Sequence, residues 1–307
     1  MTGAAVTPVR RALDWGRLAP LRLRARAVAE GLYSGSHRSL RRGPGIEFGG
    51  HRSYLPGDDL RFLDRRAMMR HDKLLIREFE TETDRGLRLI LDASQSMAYR
   101  SDTAPGAKLA FAALIGAALG RVALSGQDTV SLDWIGGDDV RPLPATGGPD
   151  AFDRLVSALE PAVPSGDVAR NPDVLDRTLA QVARRARRGA IIVVLSDFLD
   201  LPEGAIDRLV AMGHGGRVVV CVRVLDPAEV TFPFEGPVSL RSSEGDVRVE
   251  TDATTARAAY LRALAEKTEE LRVKLARHGG RFVETTTTDD PVDAVKRVLV
   301  TLTRGPA

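Results

Sequence analysis

The chain has 307 residues, 44 basic and 41 acidic, with 43% hydrophobic and 28% charged side chains. That balance excludes wholesale disorder, and a net charge of +3 is too small to imply a nucleic-acid binder by itself. One cysteine, Cys221, excludes an intramolecular disulfide framework and fits a reducing compartment.

The charge is uneven. Residues 1–46 hold nine Arg against Asp14 and Glu30, a net of +7, which leaves −4 for the rest. A basic arm on a mildly acidic body is expected to meet an anionic surface or partner. Within the arm, Leu18, Leu21, Ala25, Val28 and Leu32 recur at helical spacing between Arg22, Arg24 and Arg26, which predicts an amphipathic helix over 17–32. Residues 34–50, rich in Gly, Ser and Arg, read as a loop. Pro56-Gly57 marks a turn, and Asp58 or Asp59 is placed to cap a short helix over about 60–69. Lys73 to Thr83 alternates apolar and charged residues, as a strand with one wet face does.

From residue 87 the texture changes. Short apolar strands are predicted over 87–91, 129–135, 190–195 and 217–224. Helices are predicted over 108–124, 149–159, 172–188 and 203–212. Nearly all-apolar strands alternating with helices imply an α/β fold, a doubly wound and mostly parallel sheet covered on both faces. The uncharged run Leu109–Gly120 is shorter than the roughly 20 residues of a bilayer span and reads as a buried helix. No export signal is visible near the start, so the expected location is cytoplasmic. Val230–Glu250, punctuated by Pro233, Gly236, Pro237 and Gly245, reads as a β-hairpin insertion. A long helix over 254–278, a strand over 281–284 and a helix capped by Asp289 or Asp290 and running to about 303 close the chain.

The chemistry concentrates in Asp92-Ala-Ser94-Gln-Ser96, directly after the first parallel strand. Alternate residues of an extended segment point the same way, so one carboxylate and two hydroxyls can converge. These are hard oxygen donors, suited to Mg²⁺, Mn²⁺ or Ca²⁺ and not to zinc. Asp197 holds the matching place after the 190–195 strand, where sites in open α/β sheets lie. From the pentapeptide alone the same residues also read as a plain loop with a helix cap, and it is Asp197 that favours a metal. No two of the five histidines sit at helical ligand spacing, and neither a P-loop nor a Gly-x-Ser-x-Gly elbow occurs. A phosphotransferase reading of Asp92 lacks the second acid two residues on, where Ser94 stands.

Leu91-Asp92-Ala-Ser94-Gln-Ser96-Met97, with Leu195-Ser196-Asp197-Phe198, resembles the metal-ion-dependent adhesion site of von Willebrand factor type A domains. Gly45-Ile-Glu-Phe48, Arg52-Ser-Tyr54, Pro56-Gly-Asp-Asp-Leu-Arg61, Leu63-Asp64, Leu75-Ile-Arg77-Glu-Phe-Glu80, Asp226-Pro-Ala-Glu229 and Phe232-Pro-Phe234 resemble the bacterial "domain of unknown function 58" family. That resemblance covers about residues 17–303. It implies a type A core with strand order 3-2-1-4-5-6, no catalysis, binding through a metal held by Asp92, Ser94, Ser96 and Asp197, and a MoxR-type AAA+ ATPase as companion in the assembly or maturation of an unknown client protein. The alternatives are a metal-dependent phosphohydrolase using Asp92 and Asp197, or a peripheral membrane adaptor using residues 1–46. The implied layout is a basic arm and helix over 1–45, a family-specific extension over 46–86, the type A-like core over 87–228, the hairpin insertion over 229–252 and a helix-strand-helix over 253–307 that completes the core. Two departures stand out. Arg65 follows Asp64 where the family commonly has Trp, and Pro172 falls near the position of the type A Thr ligand. Asp167, Asn171 or Asp173 are the oxygen donors placed to substitute.

Overall fold

The computed structural model describes residues 21–34, 48–53, 75–79 and 86–303, except 169, 200, 203 and 242–247. The expected helix over 60–69 with Asp58, Asp59 and Asp64, and the first part of the basic arm, lie outside these residues. The elements are α1 (Leu21–Ser34), β1 (Phe48–Ser53), β2 (Leu75–Phe79), β3 (Leu87–Asp92), α2 (Lys108–Ser125), β4 (Val130–Ile135), β5 (Leu143–Thr146), α3 (Ala151–Leu159) and α4 (Pro172–Arg185). There follow β6 (Ile191–Ser196), α5 (Ala205–Ala211), β7 (Val218–Leu225), α6 (Pro227–Thr231), β8 (Pro237–Arg241), β9 (Arg248–Asp252), α7 (Ala253–Arg277), β10 (Arg281–Thr286) and α8 (Pro291–Thr303).

Six strands form one sheet in the order β10-β7-β6-β3-β4-β5. Counted along the core and read from the other edge, this is 3-2-1-4-5-6, the order that the resemblance implies. All neighbours are parallel except β4 and β5. The sheet is buried on both faces because successive strand residues point to opposite sides. Leu89, Leu91, Val193, Leu195, Val220 and Val222 face α1, α2, α3 and α8. Ile90, Ile192, Val194, Val219 and Cys221 face α4, α5 and α7. Burial pushes the Cys221 thiol up to about 12, so it is an inert core residue.

α2 is long and apolar enough to cross a bilayer by length and composition alone. In the fold it is the central helix of one face, with every residue from Lys108 to Gly120 buried. It touches α1, α3, α8 and the strands beneath it. The basic helix α1 lays Leu21, Ala25, Val28 and Leu32 into this same core. Arg22 pairs with Asp153 at 2.9 Å, and Arg26 lies over the Phe152 ring at 5.8 Å. Part of the arm's charge therefore faces the body of the protein itself.

Three elements depart from expectation. Residues 48–50, expected in a loop, belong to β1, where pairing with β2 satisfies a Gly-containing backbone. β5 was not foreseen. It has four residues and contains Pro144, which an antiparallel edge strand tolerates because one side of it needs no donor. α6 is a short helix, where Pro227 takes the first turn and Asp226 with Glu229 closes a capping box. The closing helix is capped by Asp290, whose carboxylate accepts the Val292 N–H, while Asp289 pairs with Arg297. The β8–β9 pair forms the expected antiparallel hairpin.

Because Leu21 is almost fully buried against α2, Leu21→Ala should cost about 2–5 kcal/mol. Urea unfolding checks this. The midpoint falls with an unchanged m-value if α1 folds with the core, and stays put if it does not.

Candidate metal centre

β3 and β6 are adjacent and parallel, with Leu91 opposite Leu195. Their carboxyl ends therefore deliver Asp92, Ser196 and Asp197 to one place. β3 is also where the chain turns from one half of the sheet to the other, the switch point of an open α/β fold. After Asp92 the chain enters a one-turn 3-10 helix, Gln95–Ala98. Ser94 stands in the capping position with extended backbone, yet its side chain makes no cap hydrogen bond. It turns inward, so the convergence of Asp92, Ser94 and Ser96 comes from this tight turn and not from one extended strand.

All four expected residues come together, each nearly inaccessible to solvent. The Ser94 N–H donates to Asp92 Oδ1 at 2.8 Å, and the Ser196 hydroxyl donates to Asp92 Oδ2 at 2.6 Å. The Ser94 and Ser96 hydroxyl oxygens are 3.1 Å apart, and Ser96 is among the groups that favour the ionised form of Asp197. The result is a buried polar cluster in which Ser94 links Asp92 to Ser96, with Asp197 beside them. Phe198 follows with φ +52°, a left-handed backbone that a non-glycine residue adopts only under constraint. Its N–H donates to the Ser196 hydroxyl.

The loop before α4, where the type A pattern has Thr, reaches the site through its backbone. Ser165 N–H donates to the Ala93 carbonyl, and Gln95 N–H donates to the Gly166 carbonyl. The crossing is tight. A Cβ on Gly137, whose φ is +92°, would stand 2.7 Å from the Ala93 Cβ. The three expected substitutes lie in this loop and at the start of α4. Asp167 accepts the Arg170 N–H and pairs with its side chain, Asn171 caps α4 by position without a side-chain bond, and Asp173 lies in the first helical turn. Pro172 opens α4.

Two residues of this centre escaped the sequence reading. Lys108, at the start of α2, is 1% exposed and holds Asp197 Oδ2 at 2.7 Å and Glu229 Oε1 at 2.6 Å. Its ammonium also lies 5.9 Å from the Tyr99 ring centroid. A signal was present: a lysine in the first turn of an apolar helix opposes the helix dipole and needs local anions. Glu229 stood in the quoted Asp226–Glu229 motif without an assigned role.

The electrostatics follow from burial. Asp92 is pushed up to about 7, by desolvation first and by the neighbouring Asp197 second, against the bonds from Ser196 and Ser94. Burial also works to raise Asp197, but Lys108 outweighs it and Asp197 lies below the usual carboxylate range. Glu229 is raised, by burial first, with Lys108 opposing. Two carboxylates and two hydroxyls make a hard-oxygen donor set, which fits Mg²⁺, Mn²⁺ or Ca²⁺ in kind. Among the described residues no three His, Cys, Asp or Glu side chains converge on one ion position. An ion here would rest on Asp92, Asp197, the serine hydroxyls and water.

The model of a family described as "Protein of unknown function DUF58" matches residues 50–270. No curated protein gives a significant match. Among solved structures, an aerotolerance-related membrane protein from Bacteroides fragilis NCTC 9343 is 19% identical, with 71% of this chain and 98% of that chain covered and a TM-score of 0.44. The conserved hypothetical protein BatB from Bacteroides thetaiotaomicron is 16% identical, with 71% and 99% covered and a TM-score of 0.46. A von Willebrand factor type A protein from Catenulispora acidiphila is 14% identical, with 73% and 42% covered and a TM-score of 0.35.

The raised Asp92 carboxyl has a consequence for stability. The folded chain keeps this proton to about pH 7, whereas the unfolded carboxyl releases it near 3.8. Between those values the folded state binds more protons than the unfolded state, so stability falls as pH rises. Glu229 acts in the same sense, and the stabilisation from Asp197 is complete above its ordinary value. Denaturant midpoints measured in EDTA should drop from pH 4.5 to 7.5, and Asp92→Asn should flatten most of that drop. An identical slope in the variant would show that Asp92 ionises freely.

Proposed function

The chain belongs to the DUF58 family of proteins of unknown function, and we propose that it is a non-enzymatic, metal-dependent protein-binding module serving a MoxR-type AAA+ ATPase in the cytoplasm. One observation carries this reading: Asp92, Ser94, Ser96 and Asp197, from two separate strand ends, meet in one buried hard-oxygen cluster. Bound there by Asp92, Asp197 and the two serines, a divalent ion supplies an electrophilic position for a partner's carboxylate.

The chain's own residues prepare that position. Ser196 and the Ser94 backbone orient the Asp92 carboxylate through both of its oxygens. Lys108 fixes Asp197 from the α2 side. The serine hydroxyls are neutral donors, and a coordination position left to water is one that a carboxylate from outside can take. Such a contact gives specificity at modest affinity, because the ion is held well only when both surfaces are present. A phosphohydrolase reading is weaker, since no acid stands two residues after Asp92.

The test is capture of the ATPase encoded beside this chain, with Mg²⁺ or Mn²⁺ titrated and EDTA as control. Capture should rise at least about fivefold with the ion. Asp92→Ala should abolish the rise and keep a wild-type circular dichroism spectrum. Equal capture in EDTA and by the variant would overturn the reading, and turnover of a generic phosphate ester with Mg²⁺ would favour the hydrolase.

A further inference from the structure

The centre already contains a cation. Lys108 sits between Asp197 and Glu229 at 2.7 and 2.6 Å, with 1% of its side chain exposed. The oxygen it holds on Asp197 belongs to one of the four residues assigned above to a divalent ion. The other Asp197 oxygen accepts the Leu199 N–H at 3.2 Å. A carboxylate with both oxygens engaged does not bind an ion without giving something up, and ammonium and divalent ion repel when they share one carboxylate.

We infer that Lys108 sets the affinity of this site: its ammonium is the competitor that a divalent ion must displace from Asp197. The inference rests on the metal reading above and adds to it a reason for weak affinity in the isolated chain. Glu229 makes the exchange feasible. Its second oxygen accepts the Asp226 N–H at 2.8 Å, and Asp226 in turn accepts from Ala228 and Ser101. Glu229 is thereby fixed whether or not Asp197 is available, so Lys108 keeps one full partner when it yields the other. The exchange moves an ammonium between two seats that already exist and leaves no buried charge alone. It also links ion binding to α6, which carries Glu229, and so to a segment outside the metal position.

Two substitutions then act in opposite directions. Lys108→Met removes the competitor and one positive charge beside the ion. Glu229→Gln keeps the capping box, which accepts Gln as well as Glu, but leaves Lys108 only Asp197 to hold. The measurement is calorimetric titration of MnCl₂ and MgCl₂ into the full chain, together with the rise in Tm that each salt produces. Lys108→Met should bind Mn²⁺ about tenfold tighter or more, and Glu229→Gln should bind more weakly than wild type. A merely structural lysine predicts that both variants lose affinity together, and that result overturns the inference, as does an unchanged affinity in Lys108→Met. If Lys108→Met does not fold, the double variant with Glu229→Gln removes one charge of each sign. It should bind tighter than Glu229→Gln alone, and equal or weaker binding overturns the inference. Absence of Mn²⁺ binding in every protein removes both this inference and the metal reading, whereas binding that ignores Lys108 removes this inference alone.

Discussion

A buried ammonium dictates much of this molecule. Lys108 lies at the start of the most buried helix, where the helix dipole disfavours it and water does not reach it. A lone charge there would cost several kcal/mol, and removing one partner of such a pair typically costs about 3–5 kcal/mol. The fold answers with two carboxylates from elements far apart in sequence, Asp197 after β6 and Glu229 in α6. The Asp226–Glu229 capping box holds Glu229 beside Lys108, and Ser101 N–H in turn donates to Asp226.

The same constraint separates two aspartates that the sequence presents as equivalents. Asp197 has an ammonium at 2.7 Å and stays ionised. Asp92 has only hydroxyl and amide donors and carries Asp197 as a negative neighbour, so it favours its proton up to about pH 7. A carboxylate and a carboxylic acid lie beside two serine hydroxyls, all four side chains buried. The cluster lies at the carboxyl ends of the parallel strands, at the switch point where ligands of open α/β sheets bind.

Much of the fold was legible because its signals are local. Apolar runs over 87–91, 190–195 and 217–224, separated by helical periodicity, specify strands buried on two faces, and short connections then favour a doubly wound sheet. Asp92 and Asp197 were legible for a related reason: each is the first acid after an apolar strand, a place defined by the strand itself. β5 and α6 were not legible. Four residues with a central proline carry no period, and a five-residue helix is specified by its capping box and not by a repeat.

What the sequence by itself determined is the strand–helix alternation, the identity of the hard-oxygen donors and the amphipathic face of α1. Tertiary structure alone decided which charges meet. Lys108 is 89 residues from Asp197 and 121 from Glu229, and nothing in the local pattern of either segment encodes the other. It likewise decided that the apolar face of α1 belongs to the core beside α2, that the loop before α4 meets Ala93 and Gln95 through its backbone, and that Ser94 turns toward Asp92 when it could have capped a helix. Periodicity is a property of neighbouring residues and is written along the chain. Charge pairing in a dry interior is a property of distance in space, and only the folded sheet sets that distance.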